Sequence, residues 1–498
     1  MSETSSALAS GTDDDLAFAG VRRLLELLRA GQVTSRRLVE LYLDRIARFD
    51  PVLSAFTVVL GEQALAAADE ADRRRASGED APLLGLPIAV KDNLDVVGVP
   101  TRYGTGSPEL PAAFDSELVR RLRAAGCVVI GKTTMPELAL FPFGPARNPW
   151  DPTRTSGGSS SGSAAAVAAG LVPAATASDG GGSIRIPAAM CGLVGLKPTP
   201  GLVPLGPDRE HWHGLSAAGF LTRSVADTAV LLDAIRDPLP AGASDSPLAA
   251  GALTDAATAD PEPLRIGLTR HGASAPKEVP LHPEVFDALD DTAGLLAGLG
   301  HAVGPIDDRV GYLQAAFVPL YLRGARDDQV RLAEPRALGA PARLLTRLGR
   351  AVGDRQVAAA RRRGRTLAER LTRLFGTIDV LLLPTVPAPA APATQYDRAG
   401  ALPTVLAATD QVGYTTPWNV VGFPAVSLPA GRTQGTRALV PAGPDNDGSN
   451  PRGRTRAGLP LAVQLVGPPG SEARLLRLAA ELERARDWTA DRPELPAG

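Results

Sequence analysis

The sequence predicts an α/β protein built around one central sheet, and three observations carry that prediction. Short runs rich in β-branched residues recur along the chain at Leu86–Val90, Cys127–Ile130, Arg265–Leu268, Val380–Leu383 and Leu461–Val466. Stretches with helical spacing of apolar residues fall between them, which is the pattern of strands alternating with helices. No internal repeat of fixed period interrupts that alternation.

The elements follow in order. Apolar residues at helical spacing run from Leu16 to Leu28, and again from Ser35, whose hydroxyl suits an N-cap, through Leu38, Leu41, Leu43 and Ile46. A third helix is expected over Glu62–Arg75, after which the strand-like runs begin. The alanine-rich stretch Ala164–Ala177 is broken by Gly170 and Pro173. It falls short of the roughly 20 residues that span a bilayer and reads as buried helix and strand. Residues 1–14 are expected to form a flexible N-terminus and 15–490 a single domain. The segments 238–263, rich in Pro, Ala, Gly and Asp, and 431–456, which is polar, read as exposed excursions from it.

Composition narrows the function. A chain of 498 residues with 44% hydrophobic and 21% charged residues has ample material for a large core. A net charge of -2 supplies no long-range attraction to nucleic acid or to an anionic membrane, so small neutral substrates fit better. Cys127 and Cys191 lie in apolar surroundings without CxxC spacing and read as buried thiols, not as a disulfide or a zinc site. The polar, acidic opening MSETSSALASGTDDD lacks the basic and apolar regions of a secretory signal, and a cytoplasmic location is expected.

Glycine and serine cluster twice in the middle of the chain, at Gly157-Gly158-Ser159-Ser160-Ser161-Gly162-Ser163 and at Asp179-Gly180-Gly181-Gly182-Ser183-Ile184-Arg185. Apolar runs border both, so these loops are expected to pack against a core. Glycine permits positive φ and close approach, letting consecutive N–H groups converge on one point as an anion or oxyanion cradle. A serine there needs a base. The five histidines have no catalytic context; His211 and His213 flank Trp212, but no third metal ligand stands nearby, and neither a metal nor a cofactor is expected. The lysines are more informative, because an arginine-rich chain keeps only Lys91, Lys132, Lys197 and Lys277. Lys91 directly follows a strand-like run that would draw its amine inside, where desolvation lowers the pKa. To act near neutrality its pKa must fall by roughly 3 units, a cost of about 4 kcal/mol.

Lys91 within PIAVKDN, the GGSSSGSAAAVAAG run and SDGGGSIRIPAAMCGLVGLKPT together resemble the amidase signature family. The resemblance continues through YLDRIARFDPVLSAFTVV, RSVADTAVLLDAI, TTPWNVVGFPAVSLPAG and GLPLAVQLVGPPGSEARLLRLAAELE, from about Leu16 to Arg484. It implies a twisted mixed sheet covered by helices on both faces. It also implies an amidase that cleaves small-molecule amides through a seryl acyl-enzyme, with Lys91 as base, Ser159 as bridging serine after a cis Gly158–Ser159 bond, and Ser183 as nucleophile. Backbone N–H groups of Gly180, Gly181, Gly182 and Ser183 would hold the oxyanion, with Ser160, Asp179 and Arg185 in support. Ser161 and Ser178 stand where glycine and threonine are frequent, and the first puts the loop path after Ser160 in question. Leu140, Phe141 and Phe143 correspond to a segment that often lines the acyl pocket, and Trp212 and Trp418 are further candidates.

Other readings stay open. Gly158–Gly162 also fits GxSxG, which would make Ser160 a nucleophile, but an elbow must follow a strand, and the preceding segment, broken by Pro149 and Pro152, is not expected to form one. Ser274-x-x-Lys277 fits the pattern of penicillin-binding enzymes, yet Pro276 opposes the helix it requires. The amidase subunit of a tRNA-dependent amidotransferase is the alternative of another class, although no long basic face is evident. An esterase or carbamate hydrolase on the same site is a further one, and the assembly, monomer or homodimer, stays open.

Overall fold

The structure is a computed structural model that describes residues 12–206, 208, 210–237, 251–272, 279–306, 313–395, 400–435 and 457–495. In chain order its strands are β1 (Phe56–Val59), β2 (Pro87–Lys91), β3 (Val128–Thr133), β4 (Arg147–Asn148), β5 (Asp151–Thr155), β6 (Ala175–Asp179) and β7 (Val194–Lys197). They continue with β8 (Ala217–Thr222), β9 (Arg265–Leu268), β10 (Ala302–Pro305), β11 (Val380–Pro384), β12 (Ala425–Arg432) and β13 (Pro460–Val466). Among the described residues 11 strands join in one sheet of order β1-β3-β2-β6-β8-β7-β12-β13-β11-β9-β10, and β4 pairs with β5 separately.

The sheet is mixed: β2 runs parallel to both β3 and β6, β9 runs parallel to β10 and β11, and the strands between are antiparallel. With helices packed around it, this is the expected α/β architecture. The strands β2, β3, β11 and β13 are buried along their whole length, which explains why they read as continuous apolar runs and not as alternating ones. Eight strands lie outside the five expected runs: β1, β4, β5, β6, β7, β8, β10 and β12. The ATASD, VGLK and AAGFLT of β6, β7 and β8 are too rich in small residues for β-propensity to mark them, and β5 forms despite Pro152, which corrects the expectation that no strand precedes the first glycine-serine loop.

Helix boundaries differ from expectation where local chemistry intervenes. The helix expected over Leu16–Leu28 is two helices, Asp13–Ala17 and Gly20–Arg29. Gly20 sits at φ +80°, where a Cβ would come within 2.6 Å of the Asp227 carboxylate, and that carboxylate accepts the Arg22 N–H at 2.8 Å. The first of these helices begins inside the N-terminus expected to be flexible; residues 1–11 lie outside the described residues. Thr34, not Ser35, caps the helix Ser35–Leu53 by accepting the Arg37 N–H, while Ser35 Oγ donates to the Gly85 carbonyl. In the segment 238–263, residues 238–250 lie outside the described residues. The remainder carries the helix Ala252–Ala256, whose Leu253 and Ala256 are buried, so this part is packed against the body and is no exposed excursion. Of 431–456, residues 436–456 lie outside the described residues, and Gly431–Arg432 complete β12.

Candidate active site

The parallel arrangement of β2 and β6 brings their C-terminal ends side by side. β2 ends on Lys91, whose N–H donates to Thr176 Oγ1 of β6 at 2.9 Å and whose side chain is fully buried. Its Nζ lies 2.8 Å from Ser159 Oγ and 2.8 Å from Ser178 Oγ, and Asn93 Nδ2 also donates to Ser178 Oγ, at 3.1 Å. Burial pushes the Lys91 amine down to about 7, against the pull of Asp179 in the opposite direction. A shift of that size costs about 5 kcal/mol. Burial of Leu86, Ile88 and Val90 on the same segment offsets it, at about 2 kcal/mol each.

Ser159 enters from the first glycine-serine loop, immediately before the helix Ser161–Ala168. The loop runs so close to its surroundings that a Cβ on Gly158 would meet the Phe143 nitrogen at 2.8 Å, and the Gly158–Ser159 bond is cis. Ser161 is the first residue of the helix, does not take positive φ, and donates to the Thr134 carbonyl at 3.3 Å, so serine fits where glycine is frequent. Ser160 Oγ donates to the Ser183 carbonyl at 2.6 Å and ties the two loops together.

The second loop, after β6, is organised by Asp179. Its Oδ1 accepts the Gly182 N–H at 2.6 Å and its Oδ2 accepts the Ile184 N–H at 3.2 Å. Arg185 closes a two-pronged pair on the same carboxylate at 2.9 and 3.0 Å. Burial alone would push the Asp179 carboxyl up, but Arg185 and Asn419 hold it well below the usual carboxylate range. Because the Gly182 N–H is committed to Asp179, the expectation that it faces an oxyanion is corrected: Gly180, Gly181 and Ser183 remain. Gly182 sits at φ +130°, and a Cβ there would come within 2.3 Å of Thr415 Oγ1. Thr415 Oγ1 donates to the Gly181 carbonyl at 2.7 Å, and Asn419 Nδ2 donates to Asp179 at 2.8 Å. Thr415, Asn419 and Gln464, which accepts from Arg185 at 3.3 Å, are supporting residues that sequence reasoning missed, as were Ser178 and Asn93. The TTPWN segment was visible as part of the resemblance, but nothing in it signalled contact with a loop more than 200 positions earlier.

Two clefts meet at Ser183 and Trp212. One, of about 550 Å³, is apolar and lined by Leu140, Phe141, Ile186, Phe317, Leu345 and Val405. The other, of about 1000 Å³, is polar and includes Ser159, Ser178, Asp95, His211, Asp328 and Arg331. Two expected wall residues stand elsewhere. Trp418 is fully buried in a core cluster and donates to the Tyr414 carbonyl at 2.9 Å, and Phe143 stacks behind Phe141 with ring centroids 5.5 Å apart. Three histidines are engaged by other side chains: His211, in the polar cleft, by Ser216 and Asp328, His213 by Asp327 and His301 by Glu481. Both cysteines are buried and unpaired, and among the described residues no cluster of potential metal ligands occurs. Ser274 and Lys277 lie outside the described residues.

Residues 37–476 match the Amidase family. The chain is 42% identical to the "Putative amidase AmiB2" of Mycobacterium tuberculosis (strain ATCC 25618 / H37Rv), over 97% of this chain and 99% of that protein. It is 35% identical to a glutamyl-tRNA(Gln) amidotransferase subunit of Chromohalobacter salexigens, over 94% and 96%. A solved structure of 6-aminohexanoate cyclic dimer hydrolase complexed with substrate superposes with a TM-score of 0.79 at 28% identity, over 96% of this chain and 99% of that one. Fold, buried site and these likenesses define an α/β hydrolytic enzyme. The chain belongs to the amidase signature family and is an amidase.

Proposed function

We propose that Lys91, Ser159 and Ser183 act as one proton relay that cleaves a small-molecule amide through a seryl acyl-enzyme. The observation that carries this reading is the Lys91 amine, fully buried, held by hydroxyls, with Nζ 2.8 Å from Ser159 Oγ. Neutral Lys91 takes the Ser159 proton as Ser159 takes that of Ser183, whose oxygen attacks the carbonyl. N–H groups of Gly180, Gly181 and Ser183 hold the resulting oxyanion, and one such donor is typically worth about 3 kcal/mol. The relay then runs backwards: Ser159 protonates the nitrogen, the C–N bond breaks, and amine or ammonia leaves. Water, deprotonated by the same relay, hydrolyses the ester and frees Ser183.

Ser183→Ala tests the assignment. It is expected to abolish turnover of aliphatic, aryl and peptide amides together with labelling by a fluorophosphonate, whereas His213→Ala leaves both nearly intact. Labelling that survives in Ser183→Ala would move the nucleophile elsewhere.

A second reading, the catalytic subunit of a tRNA-dependent amidotransferase, is favoured by the 35% identical relative. A basic strip that sequence reading passed over, Arg362, Arg363, Arg370 and Arg373 on the helix Asp354–Leu374, adds to it. Co-purification of a second subunit with glutaminase activity would establish that reading. Ester or carbamate cleavage needs the same acyl-enzyme and belongs in the same substrate panel. The free cysteines suit the reducing cytoplasm, where we place the enzyme. No helix among the described residues is long and apolar enough to cross a membrane.

A further inference from the structure

We propose that the preferred substrates are amides that join an apolar acyl group to an amine carrying a second, protonated nitrogen. This rests on the relay described above, because the relay decides which half of the substrate enters which cleft. The nitrogen that leaves must receive its proton from Ser159 Oγ, so the amine half lies on the side of Ser183 that Ser159 lines. Ser159 lines the polar cleft and not the apolar one. The acyl half is left with the cleft of Phe141, Ile186, Phe317, Leu345 and Val405, whose lining includes no Asp, Glu, Lys or Arg. A charged acyl group would lose its hydration there without a partner.

The charges of the amine cleft are unequal. Asp95, Asp208 and Asp328 face a single arginine, Arg331. Asp208 takes Arg331 at 2.6 Å toward the outside, where both side chains are about half exposed. Asp328 is held by His211 Nε2 at 3.0 Å and Trp212 Nε1 at 2.7 Å, which fix it on the wall next to the tryptophan shared with the apolar cleft. The Asp95 carboxylate is half-buried and, among the described residues, makes no hydrogen bond or ion pair. The buried Lys132, whose charge Asp95 favours from a distance, is engaged by Asp92 at 2.8 Å. A half-buried carboxylate that lines a net-negative cleft, with Lys132 paired to Asp92 instead, favours an ammonium and disfavours an anion.

Three series of substrates with one phenylpropionyl acyl group test this: monoamides of diamines two to five carbons long, amides of the matching neutral alkylamines, and amides of the matching ω-amino acids. The kcat/KM of the cationic series is expected to exceed that of the neutral series about tenfold, or about 1.4 kcal/mol, with the anionic series lowest. Asp95→Asn should bring the cationic-to-neutral ratio close to one, and added salt should lower it in the wild type. Equal kcat/KM across the three series would overturn the proposal, as would a larger gain when the ammonium is moved to the acyl half. A cationic preference that survives intact in Asp95→Asn would also overturn it. Fluorophosphonate labelling, which involves no amine, reports separately on the relay: labelling with no preference leaves the relay standing and removes only this inference. Should Asp95→Asn fail to fold and label, the wild-type series and its salt dependence decide.

Discussion

Two lysines on neighbouring strands differ in what meets a buried amine. Lys91 ends β2 and Lys132 lies near the end of β3; the strands are parallel, with Lys132 opposite Val90. Both side chains are fully buried. Lys132 meets the Asp92 carboxylate at 2.8 Å, Thr101 Oγ1 at 2.7 Å and the Pro100 carbonyl at 3.0 Å, an arrangement that solvates an ammonium. Lys91 meets two serine hydroxyls. Burial lowers both amines, but at Lys132 the adjoining carboxylate pulls back toward the charged form, while at Lys91 the charge of Asp179 does not prevent a fall to about 7. Desolvation is common to the two sites; the contacting carboxylate favours the charged form at Lys132, and Lys91 has hydroxyls in its place.

The largest effect expected from breaking this contrast is on rate. Lys91→Ala should slow acylation by about 10³-fold or more, within the usual contribution of a general base, with partial recovery at high pH as hydroxide replaces the amine. Stopped-flow acylation with an aryl amide measures it, and wild-type turnover would remove Lys91 from the relay. Lys132→Met should act in the opposite pattern. It strands the Asp92 carboxylate in the interior and should destabilise the fold by about 3–5 kcal/mol, seen in denaturant unfolding, while costing far less in turnover than Lys91→Ala. Equal losses of rate in the two variants would dissolve the distinction.

The pH profile sharpens it further. Lys91 must be neutral to act, so kcat/KM should rise with pH through a limb near 7 and level off above it. For stability the sign is the same. The unfolded lysine holds its proton up to about 10.5 and the folded one only up to about 7, so the folded state binds fewer protons between these values. Stability is then full above pH 10.5 and declines as pH falls toward 7. Lys91→Met should remove that part of the pH dependence, measured as unfolding free energy against pH.

Much of this was legible in the sequence because glycine, serine and lysine are informative when neighbours do not explain them. An arginine-rich chain that keeps four lysines, one of them closing an apolar run, draws attention to Lys91, and the resemblance to the amidase signature family gives it the expected role of base. The two glycine-serine loops likewise announce themselves. What was not legible depends on contacts across the sheet. Nothing local marks Asn419 or Gln464, which reach Arg185 and Asp179 only because β12 and β13 lie beyond β7 in strand order. Trp418 resembled a wall residue because an aromatic reads the same in sequence whether it lines a cleft or fills a core, and burial alone separates the two. Gly182 resembled an oxyanion donor for a similar reason: its N–H is spent on Asp179, three residues before it.

The smallest expected effect tests the hydroxyl that sequence reading treated only as a departure from a common threonine. Ser178 Oγ accepts from Lys91 and from Asn93, so it holds the amine in line with Ser159 and supplies an acceptor to whichever form the amine takes. A hydrogen bond from an ammonium is stronger than one from a neutral amine, so this acceptor favours the charged form. Removing it in Ser178→Ala should lower the Lys91 pKa further, by about 0.5–1 unit for a bond worth about 1 kcal/mol. The acidic limb of kcat/KM should therefore move to lower pH while the plateau falls several-fold from lost alignment. Ser178→Thr, which keeps the hydroxyl, should restore both. A lower plateau with an unmoved limb would mean that Ser178 aligns Lys91 with Ser159 without favouring either form of the amine.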